Sequence, residues 1–287
     1  MISVVIPMYN EEAAIADELR GLRQTLDATG WTYEIIVVDD GSTDRSAEIA
    51  RGFEGVRLIQ HPYNRGTGAA RSTGMQAAQG EIVVMIDADG TYPHQAIPLL
   101  VAEIEKGSSM AIGARKRESG TVPWLRAPTK WFIRQLASYL TATRIPDLNS
   151  GLRAMRRDLA LHYLPILPTT HSWVGTITIA FLSDGYPVTW LPIDYYPRKG
   201  KSSFHPIADT YNYISLVIRS VMYFNPLKVF LPATLVLLLT AAAKLIRDII
   251  YYRGFYVPGI TLMLVLTAIQ VGAIGLLADL IVKRGRG

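Results

Sequence analysis

The chain has 287 residues, 49% of them apolar, with 29 Lys and Arg against 24 Asp and Glu and no cysteine. Without cysteine there are no disulfides, thiolate metal sites or cysteine nucleophiles. The net charge of +5 favours anionic partners; with long apolar runs in the same chain these are expected to be phosphorylated substrates and a membrane, not nucleic acid.

The run "ISVVIP" (2–7) is β-branched and ends at proline, which predicts a strand. It has neither the basic leader nor the length of a signal peptide, so the N-terminal domain is expected to fold in the cytoplasm. Apolar residues at helical spacing predict a helix over 12–26. A strand and an acidic turn, "YEIIVVDDGSTD" (33–44), lead to a helix for which Ser42 is the expected N-cap. A strand (56–61), a glycine-rich turn entering a small-residue helix (64–80), a strand (81–90), a helix (95–107) and a strand (109–116) follow. Five alternations of strand and helix predict βαβ units: an α/β fold with a mostly parallel sheet and helices on both faces. Such sheets bind ligands beyond the carboxyl ends of their strands. Pro7–Glu11, Asp39–Asp40, Asp87–Asp89 and Arg115 all fall there.

Residues 117–205 are less regular, with one predicted helix (130–143) and a strand-like stretch (186–197) expected to add an antiparallel pair. The amphipathic, aromatic stretch 208–224 suits a helix lying in a membrane interface. Two apolar runs follow, each near the ~20 residues needed to cross a bilayer. The expected boundaries are a catalytic domain at 1–205, an interfacial helix at 206–225, spans at 226–246 and 258–282 joined by 247–257, and a basic tail at 283–287. Two spans place both termini in the cytoplasm. Charge bias is nearly a tie, with Lys244, Arg247 and Arg253 in or beside the connection and Lys283, Arg284 and Arg286 at the tail. Ala268 and Gly272 form a small-xxx-small pair that could seat another helix, pointing to a possible homo-oligomer.

The chemistry centres on "MIDADGTYP" (85–93). Residues i and i+2 of an extended segment point the same way, so Asp87 and Asp89 can face one point. Hard carboxylate oxygens suit Mg²⁺ or Mn²⁺. An Asx-type turn completed by Gly90 accounts for the same letters. Tyr9 and Glu11 could hold a base and ribose, and Asp39 or Asp40 could read a base N–H, or each could serve a turn. "NRGTG" (64–68) could approach a phosphate, although it matches no complete phosphate-loop pattern.

Taken together and in order, "VVIPMYNEE", "IIVVDDGSTD", "NRGTGAAR", "VVMIDADGTYP" and "GAR" resemble the inverting glycosyltransferases of family 2, which have the GT-A fold. The resemblance covers about residues 1–205. "DLNSGLRAM" (147–155) and "YPRKGKSS" (196–203), with the apolar tail, are similar to dolichyl-phosphate mannose synthases and their bacterial polyprenyl-phosphate relatives. The resemblance implies that Pro7, Tyr9, Glu11, Asp39, Asp40 and Asp87 line a nucleotide pocket. Asp87 and Asp89 would hold Mg²⁺ or Mn²⁺. Arg115, Ser150, Arg153 and Arg198 would surround the phosphates of donor and acceptor, with Lys130, Arg134, Lys199 and Lys201 near the acceptor phosphate. The donor would be a UDP- or GDP-linked hexose and the acceptor a polyprenyl phosphate.

Elementary chemistry agrees on the acceptor. A phosphate monoester is largely ionised at neutral pH and needs cations, not a general base, to attack. Relatives that use hydroxyl acceptors carry a carboxylate near 176, whereas 171–183 reads "HSWVGTITIAFLS". A second departure is Thr91, where many relatives have glutamine. The rival readings are a family-2 enzyme acting on a sugar hydroxyl and a non-catalytic membrane scaffold. No role is assigned to the scattered histidines.

Overall fold

The computed structural model describes residues 1–116, 135, 138–139, 141–170, 172–197, 226–253 and 257–284. The chain divides into two compact units, Met1–Val217 and Ile218–Gly287. Lys130, Arg134, Arg198, Lys199, Lys201 and the expected interfacial helix at 206–225 lie outside the described residues, as does most of the helix expected at 130–143.

The first unit is built on a seven-stranded sheet in the order β3-β2-β1-β4-β6-β5-β7. The strands are β1 (Ile2–Met8), β2 (Tyr33–Asp39), β3 (Val56–Gln60), β4 (Ile82–Met85), β5 (Met110–Arg115), β6 (Arg153–Arg156) and β7 (Val188–Ile193). The helices are α1 (Ile15–Asp27), α2 (Ser46–Arg51), α3 (Thr67–Ala77), α4 (Ala96–Glu105), α5 (Arg157–Tyr163) and α6 (Trp173–Ser183). The period-two alternation of β1 sorts its side chains to the two faces. Ile2, Val4, Ile6 and Met8 join one core with Ile15, Leu19 and Leu22 of α1 and Ile97 and Leu100 of α4. Val5 points to the other face, where α3 covers it. The approach there is close: a Cβ built at Gly74 would lie 2.2 Å from Val5 Cγ1. Gly74→Ala should therefore overpack this face and destabilise the domain by about 1–3 kcal/mol. Chemical denaturation would show this as a lower midpoint with an unchanged slope.

Two expectations are corrected. The stretch 186–197 does not add an antiparallel pair: β7 runs parallel to β5, with Arg115 opposite Ile193. The antiparallel strand is β6, which lies between β4 and β5. Its four residues, "RAMR", are too few to show a period, and only its two neighbours specify it as a strand. Ser42 is not the cap of α2, which begins at Ser46. Its hydroxyl accepts the Asn10 amide at 3.0 Å and its own amide donates to Asp39 Oδ1 at 3.0 Å, so it bridges two strand ends.

The second unit is a helical hairpin of α7 (Leu227–Tyr252) and α8 (Gly259–Arg284), whose most apolar 18-residue stretches have mean hydropathies of 2.2 and 2.3. Each has 26 residues, or about 39 Å at 1.5 Å per residue, enough to cross a membrane. Residues 247–252, expected in the connection, are helical. Hydroxyls on these helices turn back on their own backbone: Thr234, Thr240 and Thr267 each donate to the carbonyl four residues earlier. Inside a bilayer, where no water is available, such bonds would satisfy them. Asp279 is paired with Lys283 at 2.8 Å. Ala268 is buried, and a Cβ at Gly272 would meet Thr234 of α7, so this small-residue face seats the neighbouring helix of the same chain.

Candidate active site

The sheet register gathers the decorated strand ends at one edge. Met8 of β1 pairs with Asp39 of β2, and Asp39 with Gln60 of β3, so the loops after these strands start side by side. They are then bonded together. The Thr43 amide donates to Asn10 Oδ1 at 2.8 Å, and the Glu11 amide to Ser46 Oγ at 2.7 Å. Pro7 sits buried in β1, Glu11 is buried and Tyr9 is exposed.

Asp39 and Asp40 are both 1% exposed. Asp39 Oδ1 accepts the Ser42 amide and Oδ2 accepts Gln60 Nε2 at 3.1 Å. Asp40 Oδ1 accepts the Arg65 amide at 3.0 Å and meets His61 Nδ1 at 2.7 Å, while Oδ2 accepts the Gly66 amide at 2.8 Å. Asp40 thus shapes the glycine-rich turn. That turn approaches protein, not an open phosphate site, because the Gly68 amide donates to the Thr169 carbonyl at 2.8 Å.

Asp87 and Asp89 follow β4. Antiparallel pairing sets Met85 opposite Arg153, and two residues further on this brings Asp87 against Gly151. The approach leaves no room for a side chain: a Cβ at Gly151 would lie 2.2 Å from Asp87 Oδ2. The Gly151 amide donates to the Tyr92 hydroxyl at 2.7 Å, which holds the two loops together. Asp87 Oδ1 accepts Arg71 Nη2 at 2.6 Å. Asp89 Oδ1 accepts both the amide and the hydroxyl of Thr91, at 3.2 and 2.6 Å. The turn is thus observed: it consumes one oxygen of Asp89 and orients the group, an arrangement compatible with a metal ligand. Among the described residues, no group of three or more His, Asp or Glu side chains converges to hold a metal. Two hard carboxylates fit Mg²⁺ or Mn²⁺, which commonly completes its shell with substrate phosphates and water.

Arg115 closes the far side. Its Nε and Nη2 clasp Asp147 at 2.7 and 2.9 Å, and its guanidinium lies 5.3 Å from the centre of the Tyr195 ring. Burial would raise the Asp147 carboxyl, but the hydrogen bonds and charge of Arg115 outweigh it and hold it below the usual range. Arg153 takes a place different from the expected one. It is wholly buried behind the edge, donating to the Val174 carbonyl at 2.9 Å, Thr178 Oγ1 at 3.0 Å and the Ser150 carbonyl at 2.5 Å. Burial, and secondarily the charge of Arg71, lower its guanidinium to about 10. Ser150 is also fully buried, its hydroxyl without a partner among the described residues.

Arg71, Asp147, Tyr92 and Gly151 were not singled out from sequence, although each lies in a motif or beside one. Their roles are contacts between distant segments, which spacing along the chain does not show.

Comparison with known proteins matches this architecture. Residues 3–164 match the model of glycosyl transferase family 2, and residues 225–283 match the GtrB C-terminal hairpin. The chain is 34% identical over 164 residues to an undecaprenyl-phosphate 4-deoxy-4-formamido-L-arabinose transferase of Aeromonas hydrophila, covering 55% of this chain and 50% of that protein. A protein of the same description from Pseudomonas aeruginosa is also 34% identical, with 48% of it covered. The chain thus spans about half the length of the curated relatives it matches. Among solved structures, glucosyl-3-phosphoglycerate synthase from Mycobacterium tuberculosis with phosphoglyceric acid superposes with a TM-score of 0.63 at 25% identity, over 77% of this chain and 80% of that one. The same enzyme with Mn²⁺, UDP-glucose and phosphoglyceric acid superposes with a TM-score of 0.62 at 25% identity, over 77% and 79%. With the family model matched across the sheet edge that carries Asp39, Asp87, Asp89 and Arg115, the chain belongs to glycosyl transferase family 2.

Proposed function

We propose that the chain transfers a hexose from a UDP- or GDP-linked donor to a polyprenyl phosphate at the cytoplasmic face of a membrane, inverting the anomeric centre. The observation that carries this reading is the union, in one chain, of a carboxylate-tipped sheet edge with two apolar helices of membrane length. An acceptor dissolved in water requires no such hairpin, whereas a lipid acceptor is met at the membrane that such a hairpin can enter. The names of the relatives from Aeromonas and Pseudomonas support undecaprenyl phosphate as the acceptor class. The bound UDP-glucose and Mn²⁺ of the mycobacterial neighbour support UDP and a divalent cation.

In this reading a phosphate oxygen of the acceptor attacks the anomeric carbon. The bond from that carbon to the donor diphosphate breaks, and the diphosphate keeps the electron pair. No side chain need remove a proton, because the attacking phosphate is already ionised. Consistent with this, 171–183 contains no Asp or Glu that could serve as base to a hydroxyl. Asp87 and Asp89 would hold Mg²⁺ or Mn²⁺, which supplies charge compensation to the departing diphosphate. Pro7, Tyr9, Glu11 and Asp39 form the nucleotide side of the edge. Arg115, held by Asp147, presents a cation whose direction is fixed before substrate arrives. The catalytic domain and both termini would be cytoplasmic.

The test is transfer of labelled sugar by the full chain in detergent, with UDP- and GDP-sugars and Mn²⁺. Short-chain polyprenyl phosphate should yield a lipid-linked product. A product formed only with a sugar acceptor would favour the hydroxyl-acceptor reading, and none with either would favour a scaffold.

A further inference from the structure

Arg71 stands out among the charged groups near the site. It is buried, donates from Nη2 to Asp87 Oδ1 at 2.6 Å, and keeps a buried Nε without a partner among the described residues. Its neighbours fix its position. Ser72 Oγ accepts Trp173 Nε1 of α6 at 2.9 Å. Thr73 Oγ1 bonds His61 Nε2 at 2.9 Å, and that imidazole meets Asp40 through its other nitrogen. Consecutive helical residues diverge by about 100°, so this one turn of α3 reaches the β4 end, α6 and His61 at the end of β3. A guanidinium anchored in this way cannot swing aside as a surface arginine can.

We propose that Arg71 is a positioning residue that makes cation binding at Asp87 and Asp89 conditional on the nucleotide diphosphate. The inference rests on the reading of these two aspartates as cation ligands. Arg71 occupies one oxygen of Asp87 and so limits how that carboxylate can engage a metal. It also sets a permanent positive charge one hydrogen bond from the ligand group. Arg153 lies near enough for the two guanidiniums to oppose each other's charge. A bare dication meets this positive field, which counts for more away from water. A diphosphate brings negative charge that removes the opposition, so cation and nucleotide bind together.

The experiment is a Mn²⁺ titration of the full chain in detergent, followed by the electron paramagnetic resonance of free Mn²⁺, without nucleotide and with UDP or GDP. Nucleotide should tighten Mn²⁺ binding to the wild type more than about tenfold. Arg71→Met should bind Mn²⁺ alone more tightly and shrink the nucleotide effect to below about threefold. Arg71→Gln, which can still donate to Asp87, covers the outcome that the methionine variant does not fold, and should behave likewise. Arg71→Lys keeps the charge and should retain most of the effect. A wild-type nucleotide effect surviving in both uncharged variants overturns the inference alone. Failure of the wild type to bind any nucleotide overturns the functional reading and this inference with it.

Discussion

Asp89→Asn should lower turnover by about 10²–10³-fold and leave the melting temperature unchanged. Asparagine keeps an oxygen where Asp89 Oδ1 accepts the amide and hydroxyl of Thr91, so the turn survives. What is lost is the negative charge that, in the proposed function, would face the cation of the donor diphosphate. Asp87→Ala should behave differently. It removes the carboxylate that, among the described residues, pairs with Arg71, whose side chain is 5% exposed. Stranding a buried guanidinium costs several kcal/mol; Asp87 itself is 30% exposed, which limits the loss to about 2–3 kcal/mol. Steady-state transfer assays and thermal melts on the two variants separate these effects. Equal stability loss in both would contradict the division of labour between the aspartates, and full activity in Asp89→Asn would remove Asp89 from the metal site.

Gly151→Ala should lower kcat/KM by about 10²-fold through displacement of Asp87. The added methyl would lie 2.2 Å from Oδ2, 2.7 Å from Cγ and 2.8 Å from Oδ1, so the whole carboxylate is in its way. Asp87 can give way only by straining its bond to Arg71. The neighbouring backbone resists movement because the Gly151 amide is held by the buried Tyr92 hydroxyl. Gly74→Ala is the internal control. It introduces a comparable clash, but against Val5 in the core, and should change stability with little effect on kcat/KM of the folded fraction. If Gly151→Ala loses stability and keeps its activity, the close approach serves packing alone.

The departure at Thr91 acquires a physical account. Thr91 is wholly buried, and a glutamine there would lack the β-hydroxyl that bonds Asp89. Threonine instead orients the second aspartate from two residues away, and its carbonyl accepts the Tyr196 amide at 2.9 Å. It therefore links Asp89 to the chain just before the basic segment at 198–201.

Local chemistry along the chain determined much of this protein. β-branched runs, helical periodicity and short connections specify strands β1–β5 and their helices, because each is stabilised by a face its own residues create. Apolar length alone specifies α7 and α8. The pairing of aspartates after a strand places Asp87 and Asp89 at the right edge, since an extended segment repeats its direction every two residues. Tertiary structure decided the rest. β6 has four residues and no period of its own, and only the open edges of β4 and β5 make it a strand. Its antiparallel register brings Gly151 to Asp87. Arg153 has the composition of a phosphate ligand and the position of a buried strut, because Val174, Thr178 and Ser150 supply its acceptors. Arg71 reads as an ordinary helix residue until α3 is packed across the sheet. Charge type is visible in a sequence, but the partner that a charge finds depends on which segments the fold brings within hydrogen-bond reach.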